Sequence, residues 1–436
     1  MDNVKKLYYE LKELWSSVSK NIDWTYCSMI FLVLVGYVLI HDLIGETFLE
    51  HNAWDSYTLQ AKAWLDGKVS LGQNYEHLEL AIYNNDWYVS FPPFPSVAML
   101  PWVMLYGVET PNNMIMIIYI MIALTLVYCI ARHFKMREVL AAFWSIVVVF
   151  GCNMLWMSTM GGVWFQAQLL NMILCLGAII AMLNNKRVTS YICIALAVGC
   201  RPFSIVYFFV LLAYYYKKDV LVSKNIKEVD TSKGIINVTK ILLKQWLGVL
   251  SAAVVGVLYM VYNYIRFDDP LEFGHNYLPE FIESPDGQFN IKYVVFNLYR
   301  VFIRPLKLKE NMGIEFDKFD GFCVLVANPI FIIFLICIIV NSIRKNINIV
   351  NITIILTVIA NIFCICMHKT LGGWQFGNRY LVDMVPFIML YILLTKQKFK
   401  KINKVAHWER VVAGFALMFN MYGIMFIFLD QLKVIK

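Results

Sequence analysis

The chain has 436 residues, of which 60% are hydrophobic and only 16% are charged. This proportion of apolar side chains exceeds what a soluble core can bury, so it excludes a soluble globular protein and predicts a polytopic membrane protein. The formal net charge is +8, but the basic residues gather in short clusters between apolar runs, as membrane orientation signals do. Nucleic-acid binding is therefore not expected. The ten cysteines lie in or beside apolar runs and indicate neither disulfides nor a metal framework.

The N-terminal segment, residues 1–23, is lysine-rich and amphipathic and has no small-residue cleavage site after the first apolar run. It predicts a cytoplasmic amphipathic helix followed by an uncleaved membrane anchor. Apolar runs of near-spanning length then occupy residues 24–43, 112–131, 139–157, 165–183, 246–265, 322–340, 347–367, 380–394 and 411–429. One further run, residues 188–216, is interrupted in its middle by Arg201-Pro202.

The proline-rich stretch WYVSFPPFPSVAMLPWVMLYG offers only 14 residues between Pro95 and Val108, whereas a bilayer crossing needs roughly 20. All basic clusters face the cytoplasm only if this segment does not cross and the run around Arg201 crosses twice as a hairpin. This predicts an all-α bundle of about 11 transmembrane helices in one domain, residues 24–436. The N-terminus is then cytoplasmic, and outer loops occupy residues 44–111 and 266–321.

Asp55 follows the first predicted membrane helix and opens a stretch, residues 54–65, with helical periodicity. A carboxylate that is partly withdrawn from water becomes more basic, so Asp55 is a candidate base for an acceptor hydroxyl. Aspartate is also favoured as a helix N-cap, and this structural role stays open. Lys62 lies on the same polar face as Asp55 and is a candidate substrate ligand.

Two further candidates lie in HLELAIYNNDWYVSFPPFP, within the first outer loop. Glu79 has apolar neighbours on both sides and is suited to coordinating a cation or orienting a sugar hydroxyl, although a surface role remains open. Tyr88 is a candidate substrate ligand in the approach to the short proline-led helix. Pro95 is able to begin that helix because its missing N–H is not needed there.

Three arginines are candidate ligands for an anion. Arg201 interrupts an apolar run, and Arg379 stands where a predicted helix enters the membrane from outside. Arginine at such a depth costs several kcal/mol unless it is paired or faces water, and its guanidinium suits phosphate. Snorkelling or a salt bridge to Asp383 is the structural alternative. Arg266, in YNYIRFDDPLEFG, lies at an ordinary helix end and is less distinctive.

The second outer loop contains KYVVFNLYRVFIRPLKLKENMG, where aromatic side chains recur about every three residues with basic residues between and after them. This spacing predicts an interfacial helix with a basic edge. Such an edge would touch anionic lipid head groups or line the path of a lipid substrate.

The order of these features resembles that of the GT-C glycosyltransferases. The resemblance covers most of the chain and rests on Asp55 followed by YTLQAKAWLDGKVSL, WYVSFPPFPSVAMLP, GCRP, YNYIRFDDPLEFG and GNRYLVDMVP. It implies transfer of a sugar from a polyprenyl-phosphate donor to a hydroxyl of a glycan, lipid or protein, usually with inversion, on the outer face of the bacterial cell membrane. By the same resemblance Asp55 is the base, and Arg201 and Arg379 hold the lipid phosphate.

One departure from that family concerns metal binding. Many of its members carry a second acidic residue outside the third helix, where MSTMGGVWFQAQ has no carboxylate. We therefore expect no required cofactor and leave a divalent cation open. Two other functions remain as alternatives: a lipid or sugar transporter of the flippase type, and a non-catalytic partner in cell-envelope assembly.

Overall fold

A computed structural model of the chain describes residues 22–45, 48–222, 234–308 and 314–431. The predicted cytoplasmic helix at residues 1–23 lies outside the described residues, apart from its last two positions. The described chain is mostly helical, with two short β-hairpins in the segments between membrane helices.

The first half of the chain contains nine α-helices and one hairpin within the described residues. They are α1 (Trp24–Ile44), α2 (Ser56–Leu65), β1 (Leu80–Tyr83), β2 (Asp86–Val89), α3 (Phe94–Tyr106), α4 (Asn112–His133), α5 (Glu138–Phe150), α6 (Met154–Met157), α7 (Val163–Leu183), α8 (Arg187–Val198) and α9 (Phe208–Tyr216). Strands β1 and β2 pair antiparallel, with Leu80 opposite Val89.

The second half continues with eight more α-helices and a second hairpin. They are α10 (Gly234–Phe267), α11 (Pro279–Ile282), α12 (Lys292–Phe302), β3 (Lys307–Leu308), β4 (Ile314–Glu315), α13 (Val324–Ala327), α14 (Ile330–Ile343), α15 (Ile349–Met367), α16 (Val385–Lys398) and α17 (His407–Gln431). Two 3₁₀ turns, Pro202–Tyr207 and Arg379–Met384, lead into α9 and α16.

Seven helices in the described part of the chain are long and apolar enough to cross a membrane, which supports an integral membrane protein. They are Trp24–Ile44, Asn112–His133, Val163–Leu183, Leu243–Phe267, Ile349–Met367, Arg379–Lys398 and His407–Ile427. Helices α5, α8 and α14 are apolar but shorter. The predicted total of about 11 crossings, and the sidedness of the loops, stay predictions.

The run around Arg201 is broken where the sequence indicates. Helix α8 ends at Val198, the chain bends at Arg201, and α9 returns to pack against α8. At the open end of this pair, Arg187 donates two hydrogen bonds of 2.7 Å to the carboxylate of Asp219. The bend also holds α3, because the N–H of Phe94 donates to the carbonyl of Gly199 at 2.9 Å.

Helix α3 is the short helix that the prolines predict. It has 13 residues, which corresponds to about 20 Å of helix and falls short of the roughly 30 Å hydrocarbon core. It packs against α2, the amphipathic helix of the same outer segment. The length and packing of α3 agree with a helix that does not cross.

Two runs that the sequence presents as single helices are divided. Residues 139–157 form α5 and the separate short helix α6, and residues 322–340 form α13 and α14. The second break follows from Pro329, which disfavours the helical conformation at Asn328. The two breaks face each other: the N–H of Asn153 donates to the side chain of Asn328 at 2.9 Å, and the Asn328 amide donates back at 2.7 Å.

We predict that Gly377, beside this asparagine pair, cannot carry a side chain. A Cβ atom there would lie 2.5 Å from the Asn153 amide nitrogen and 2.7 Å from Cβ of Ala327. Gly377→Ala is therefore expected to combine backbone strain of roughly 1–2 kcal/mol with overpacking of about 1–3 kcal/mol. Thermal unfolding of the purified protein in detergent, followed by tryptophan fluorescence, measures the loss.

Gly373→Ala is the matched control for this prediction. Gly373 also has a positive φ, +64° against +72° at Gly377, but a Cβ atom there meets nothing within 4 Å. Gly373→Ala therefore introduces the backbone strain without a steric clash at Cβ. Equal destabilisation by the two variants would contradict the packing around Gly377.

Candidate functional site

A cavity of about 950 Å³ lies where the segments at residues 44–111 and 266–321 meet the ends of the membrane helices. Three of the predicted site residues line it: Glu79, Arg201 and Arg379. The sequence analysis did not single out several other lining residues, among them Trp54, Tyr57, Trp164, His275, His368 and Tyr380. The cavity therefore brings together three predicted residues that are far apart in the chain, and Glu272, Glu280 and Asp320 also line it.

Arg201 reaches the cavity from the bend between α8 and α9. Its Nε donates to Oδ2 of Asp383 at 2.8 Å, and its guanidinium carbon lies 4.5 Å from the centre of the Tyr380 ring. In the described part of the chain, the two terminal nitrogens of Arg201 have no hydrogen-bond partner. The side chain is 22% exposed, so these nitrogens are available to a ligand in the cavity.

Arg379 is held more tightly, at the start of the 3₁₀ turn before α16. It is 3% exposed, and it donates to the carbonyl of Gly372 from two nitrogens and to Oε1 of Gln168 at 3.0 Å. Its guanidinium carbon lies 4.9 Å from the centre of the same Tyr380 ring. The alternative of a salt bridge to Asp383 is found for Arg201 and not for Arg379.

The wall around Tyr380 consequently carries an unbalanced positive charge. Two guanidinium groups flank one ring, and among the described residues Asp383 pairs with Arg201 while no carboxylate is paired with Arg379. Asp383 also accepts a hydrogen bond from the Asn171 amide at 3.2 Å, which fixes it behind Arg201. Partial burial strengthens electrostatic attraction, so this wall favours a bound anion that suits the arginine fork.

Glu79 brings a negative group into the same cavity. Its backbone carbonyl accepts from the Ser90 hydroxyl at 2.8 Å, which fixes its position beside strand β1. Its carboxylate oxygen Oε2 accepts from the indole N–H of Trp164 at 3.0 Å. The Glu79 side chain is exposed to the cavity. The protein groups around it displace part of its water and raise the pKa of Glu79, an effect that the Trp164 hydrogen bond and the charge of Arg379 partly offset. Glu79 is thus a stronger base than an ordinary surface carboxylate.

Asp55 is the N-cap of α2, the structural alternative that its position in the sequence suggested. Its Oδ1 accepts from the backbone N–H groups of Tyr57 at 3.0 Å and Thr58 at 3.3 Å. Its Oδ2 accepts from the Thr58 hydroxyl and from the Asn112 amide at 3.0 Å. The residue is 1% exposed and is not part of the cavity lining. A role as base stays a prediction, one that would require the carboxylate to leave these four donors.

Tyr57 is the residue that this cap directs into the cavity. Its ring is fully buried and packs edge-on against Phe91, and its hydroxyl has no hydrogen-bond partner in the described chain. Burial holds the pKa of Tyr57 well above its ordinary value, so the hydroxyl keeps its proton and is a ready donor. An unpaired buried hydroxyl costs free energy unless a ligand or water satisfies it.

Lys62 and Tyr88, both predicted substrate ligands, lie outside the residues that line the cavity. Lys62 forms an exposed ion pair with Asp66 one helical turn away on α2. Tyr88 packs edge-on against Phe267, with ring centres 5.3 Å apart. Substrate binding by Lys62 and Tyr88 stays a prediction, to which the cavity adds no support.

Arg266 is also placed outside the cavity lining, as a buried connection between α10 and β2. It is 1% exposed and donates to the carbonyl of Val89 and to the side chain of Asn263, both at 2.9 Å. Its guanidinium carbon lies 4.3 Å from the Tyr262 ring centre and 4.6 Å from that of Phe267. These contacts give Arg266 a structural role, and substrate binding by Arg266 stays a prediction without support from the cavity.

His275 and His368 line the cavity but add no charge to it. Burial lowers the pKa of both side chains, that of His368 to about 4, so both are neutral at pH 7. The Phe281 ring packs between them, with ring centres 6.0 Å and 5.4 Å away. Single histidines without motif spacing gave no signal in the sequence. Among the described residues, no group of three or more His, Cys, Asp or Glu side chains is arranged to hold a metal ion.

We predict that Arg379→Lys destabilises the fold more than Arg201→Lys. Lysine keeps the charge but cannot reproduce the planar fork with which Arg379 reaches both Gly372 and Gln168. Arg201 loses one hydrogen bond, to Asp383, and its partly exposed head tolerates the change. The midpoints of thermal unfolding in detergent compare the two variants, and a larger loss for Arg201→Lys would contradict the assignment.

Comparisons with known proteins give matches in structure. ArnT from Cupriavidus metallidurans bound to undecaprenyl phosphate is 13% identical over 89% of this chain, with a TM-score of 0.49. The Archaeoglobus fulgidus oligosaccharyltransferase in its apo form is 13% identical over 94% of this chain, with a TM-score of 0.47. This chain spans 61% of the former protein and 56% of the latter.

No model of a known protein family matches the chain, and no curated protein matches it in sequence. The two structural neighbours are GT-C glycosyltransferases, the superfamily that the sequence motifs resemble. Both TM-scores lie below 0.5, a level at which likeness of overall shape does not establish a shared activity.

Proposed function

We propose that this protein is a membrane glycosyltransferase that moves a sugar from a polyprenyl-phosphate donor to an acceptor hydroxyl. The observation that supports this function is the wall around Tyr380, where Arg201 and Arg379 share one ring with a single carboxylate in contact. It faces the same cavity as Glu79, a carboxylate of raised pKa. An anion site beside a base is what phosphate release and proton removal require.

Arg201 is the residue that binds the phosphate. Asp383 orients it through Nε, and its two terminal nitrogens remain to donate in parallel to two phosphate oxygens. Arg379 contributes positive charge without bonding the phosphate directly, because its nitrogens already donate to Gly372 and Gln168. The Tyr57 ring forms part of the cavity wall, with its unpartnered hydroxyl buried behind the surface.

The chemistry is a single displacement at the anomeric carbon. The acceptor oxygen forms a bond to that carbon while the bond from carbon to phosphate oxygen breaks, and its electron pair stays on the phosphate. The acceptor proton passes to Glu79. Arg201 neutralises the charge that grows on the phosphate, and one displacement inverts the configuration of the sugar.

Asp55 acts in this proposal as a positioning residue. As N-cap it sets the first turn of α2, and with it the place of Tyr57 in the cavity. Asp55 as the base, which the family resemblance implies, is the competing assignment. The two assignments differ in which carboxylate must be ionised, so they are separable by isosteric substitution.

The membrane arrangement belongs to the same proposal. About 11 crossings with a cytoplasmic N-terminus put the cavity on the outer face of a bacterial cell membrane, where lipid-linked donors and glycan, lipid or protein acceptors meet. The short helix α3 and the α8–α9 pair are the elements on which this count depends. A donor that reaches the site already activated needs no nucleotide-binding domain and no resident cofactor.

Arg201→Gln is expected to weaken binding of undecaprenyl phosphate by about 10- to 100-fold, because hydrogen bonds to a charged partner contribute roughly 1.5–3 kcal/mol. Microscale thermophoresis of the purified protein in detergent measures the dissociation constant. Arg344→Gln is the control, since Arg344 lies against Phe399 in another basic cluster. Unchanged affinity in Arg201→Gln would remove Arg201 from the phosphate site.

Glu79→Gln is expected to lower the transfer rate by about 100-fold or more, the usual contribution of a general base, while Asp55→Asn keeps most activity because asparagine also caps helices. Release of free undecaprenyl phosphate from a panel of undecaprenyl-phosphate hexoses and pentoses, with the protein in nanodiscs, measures the rate. Because the pKa of Glu79 is raised, the wild-type rate should fall with decreasing pH while ordinary carboxylates are still ionised.

The reverse pattern, a folded but inactive Asp55→Asn beside an active Glu79→Gln, would return the base to Asp55. No release from any donor by the wild-type protein, together with tight binding of undecaprenyl phosphate, would favour a carrier or an assembly partner over an enzyme.

A further inference from the structure

Two neighbouring indole rings form an aromatic surface on the cavity wall next to Glu79. Trp54 lies just before α2, Trp164 lies in the first turn of α7, and both line the cavity. Their ring centres are 6.1 Å apart and their planes differ by 34°. Trp54 is 48% exposed, although its ring also packs against that of His77. A large part of a flat apolar side chain therefore remains uncovered beside a carboxylate.

The backbone holds these two tryptophans in a fixed relation. The carbonyl of Trp54 accepts from the N–H of Val163 at 2.8 Å, which ties the segment before α2 to the start of α7. The N–H of Trp54 donates to the side chain of Asn52 at 3.0 Å, and the His77 ring meets the Trp54 ring edge-on with centres 5.6 Å apart. A ligand does not have to order this surface before using it, so little affinity is lost to reorganisation.

The edge of this aromatic surface carries hydrogen-bonding groups of both kinds. The indole N–H of Trp164 donates to Oε2 of Glu79 at 3.0 Å, and in the described chain Oε1 of Glu79 has no partner. The indole N–H of Trp54 likewise has no acceptor among the described residues. One face of a pyranose ring presents C–H groups while its edge presents hydroxyls, so it fits an aromatic face with a donor and an acceptor at the rim.

The contact with Glu79 connects this surface to the acceptor and not to the donor. In a single displacement, the acceptor oxygen and the leaving phosphate lie on opposite sides of the anomeric carbon. Arg201 binds the phosphate in the proposed reaction, and Glu79 takes the acceptor proton. A surface that is bonded to Glu79 therefore lies beside the acceptor hydroxyl.

We propose that the acceptor is a glycan, and that its terminal pyranose ring stacks on Trp54 and directs one hydroxyl to Glu79. A serine, threonine or lipid hydroxyl offers no C–H face of this size, so the surface favours a glycan over the protein and lipid acceptors that the reaction also allows. The assignment to the acceptor rests on the proposed function. The sugar-binding surface itself rests on the geometry and exposure of the two rings.

The first test measures binding of the methyl pyranosides of glucose, galactose, mannose and N-acetylglucosamine to the full-length protein in nanodiscs, by saturation-transfer NMR. Sorbitol, which has the hydroxyls but no ring face, is the control ligand. At least one pyranoside should bind, with the strongest transfer to the C–H protons of one ring face, and sorbitol should not bind. Binding of sorbitol as strong as that of the pyranosides, or no binding of any pyranoside, would overturn the proposal.

Trp54→Ala is expected to weaken pyranoside binding by about 10-fold, and Trp54→Phe, which keeps a smaller aromatic face, by less. Trp246→Ala is the control variant and should bind as the wild type does, because Trp246 is 54% exposed on α10 and does not line the cavity. Undiminished binding in Trp54→Ala would overturn the proposal, as would an equal loss in Trp246→Ala.

The second test adds the bound pyranoside to the assay that follows release of free undecaprenyl phosphate from undecaprenyl-phosphate hexoses and pentoses. An acceptor should raise the rate of release several-fold in the wild type and in Trp246→Ala, but not in Trp54→Ala. Inhibition of release would overturn the acceptor assignment, since the surface would then hold the donor sugar. No release under any condition, beside pyranoside binding that depends on Trp54, would overturn the transfer reaction and keep the sugar-binding surface, so the two failures are distinguishable.

Discussion

Two positive groups on one aromatic ring form the constraint around which this protein is organised. Arg201 and Arg379 approach Tyr380 to 4.5 and 4.9 Å, and in the described chain Asp383 pairs with Arg201 only. Like charges at this depth are costly without partners, so the surrounding helices must supply carbonyls, amides and one acid in fixed positions. The bend after α8, the turn before α16 and the start of α7 all meet that need.

The residues of the site lie mainly at breaks in helices and not within continuous helices. Arg201 lies in the bend of a broken run, and Arg379 follows a segment whose backbone is fixed by Asn153, which also accepts from the N–H of Asn378 at 3.2 Å. Asn153 and Asn328 stand at the interruptions of two other apolar runs and bond each other. Polar backbone freed by a break inside a membrane must be satisfied by protein, and here the breaks satisfy one another.

The sequence predicts those features that depend on local chemistry. An arginine within an apolar run, a proline-led helix of 13 residues and an aspartate before a periodic stretch each point to one structure, and each is found. The division of the apolar run at Pro329 could also be predicted, because proline disfavours the helical conformation of the residue before it. The continuous hydropathy of the run instead suggested a single helix.

The roles of side chains that depend on contacts with distant parts of the chain could not be predicted from the sequence. Arg266, like Arg379, is an arginine at the end of a predicted membrane helix. Its contacts with Val89 and the Tyr262 ring, which the sequence does not reveal, give it a structural role. Tyr57 gains its unpaired hydroxyl only from the way α2 packs. The basic spacing around α12 suggested an anion-binding edge, and aspartates from a later segment neutralise it.

The contact between Arg379 and Gln168 has a consequence for how the site responds to acidity. Gln168 accepts from the guanidinium and also donates to the Arg379 carbonyl at 2.8 Å, and neither an amide nor a peptide carbonyl gains or loses a proton in the physiological range. The electrostatic attraction supplied by Arg379 therefore stays constant while carboxylates elsewhere in the cavity titrate. Under the proposed function, acidification would slow proton abstraction by Glu79 while the positive charge of Arg379 stays in place, so the two contributions are separable by the pH of the buffer.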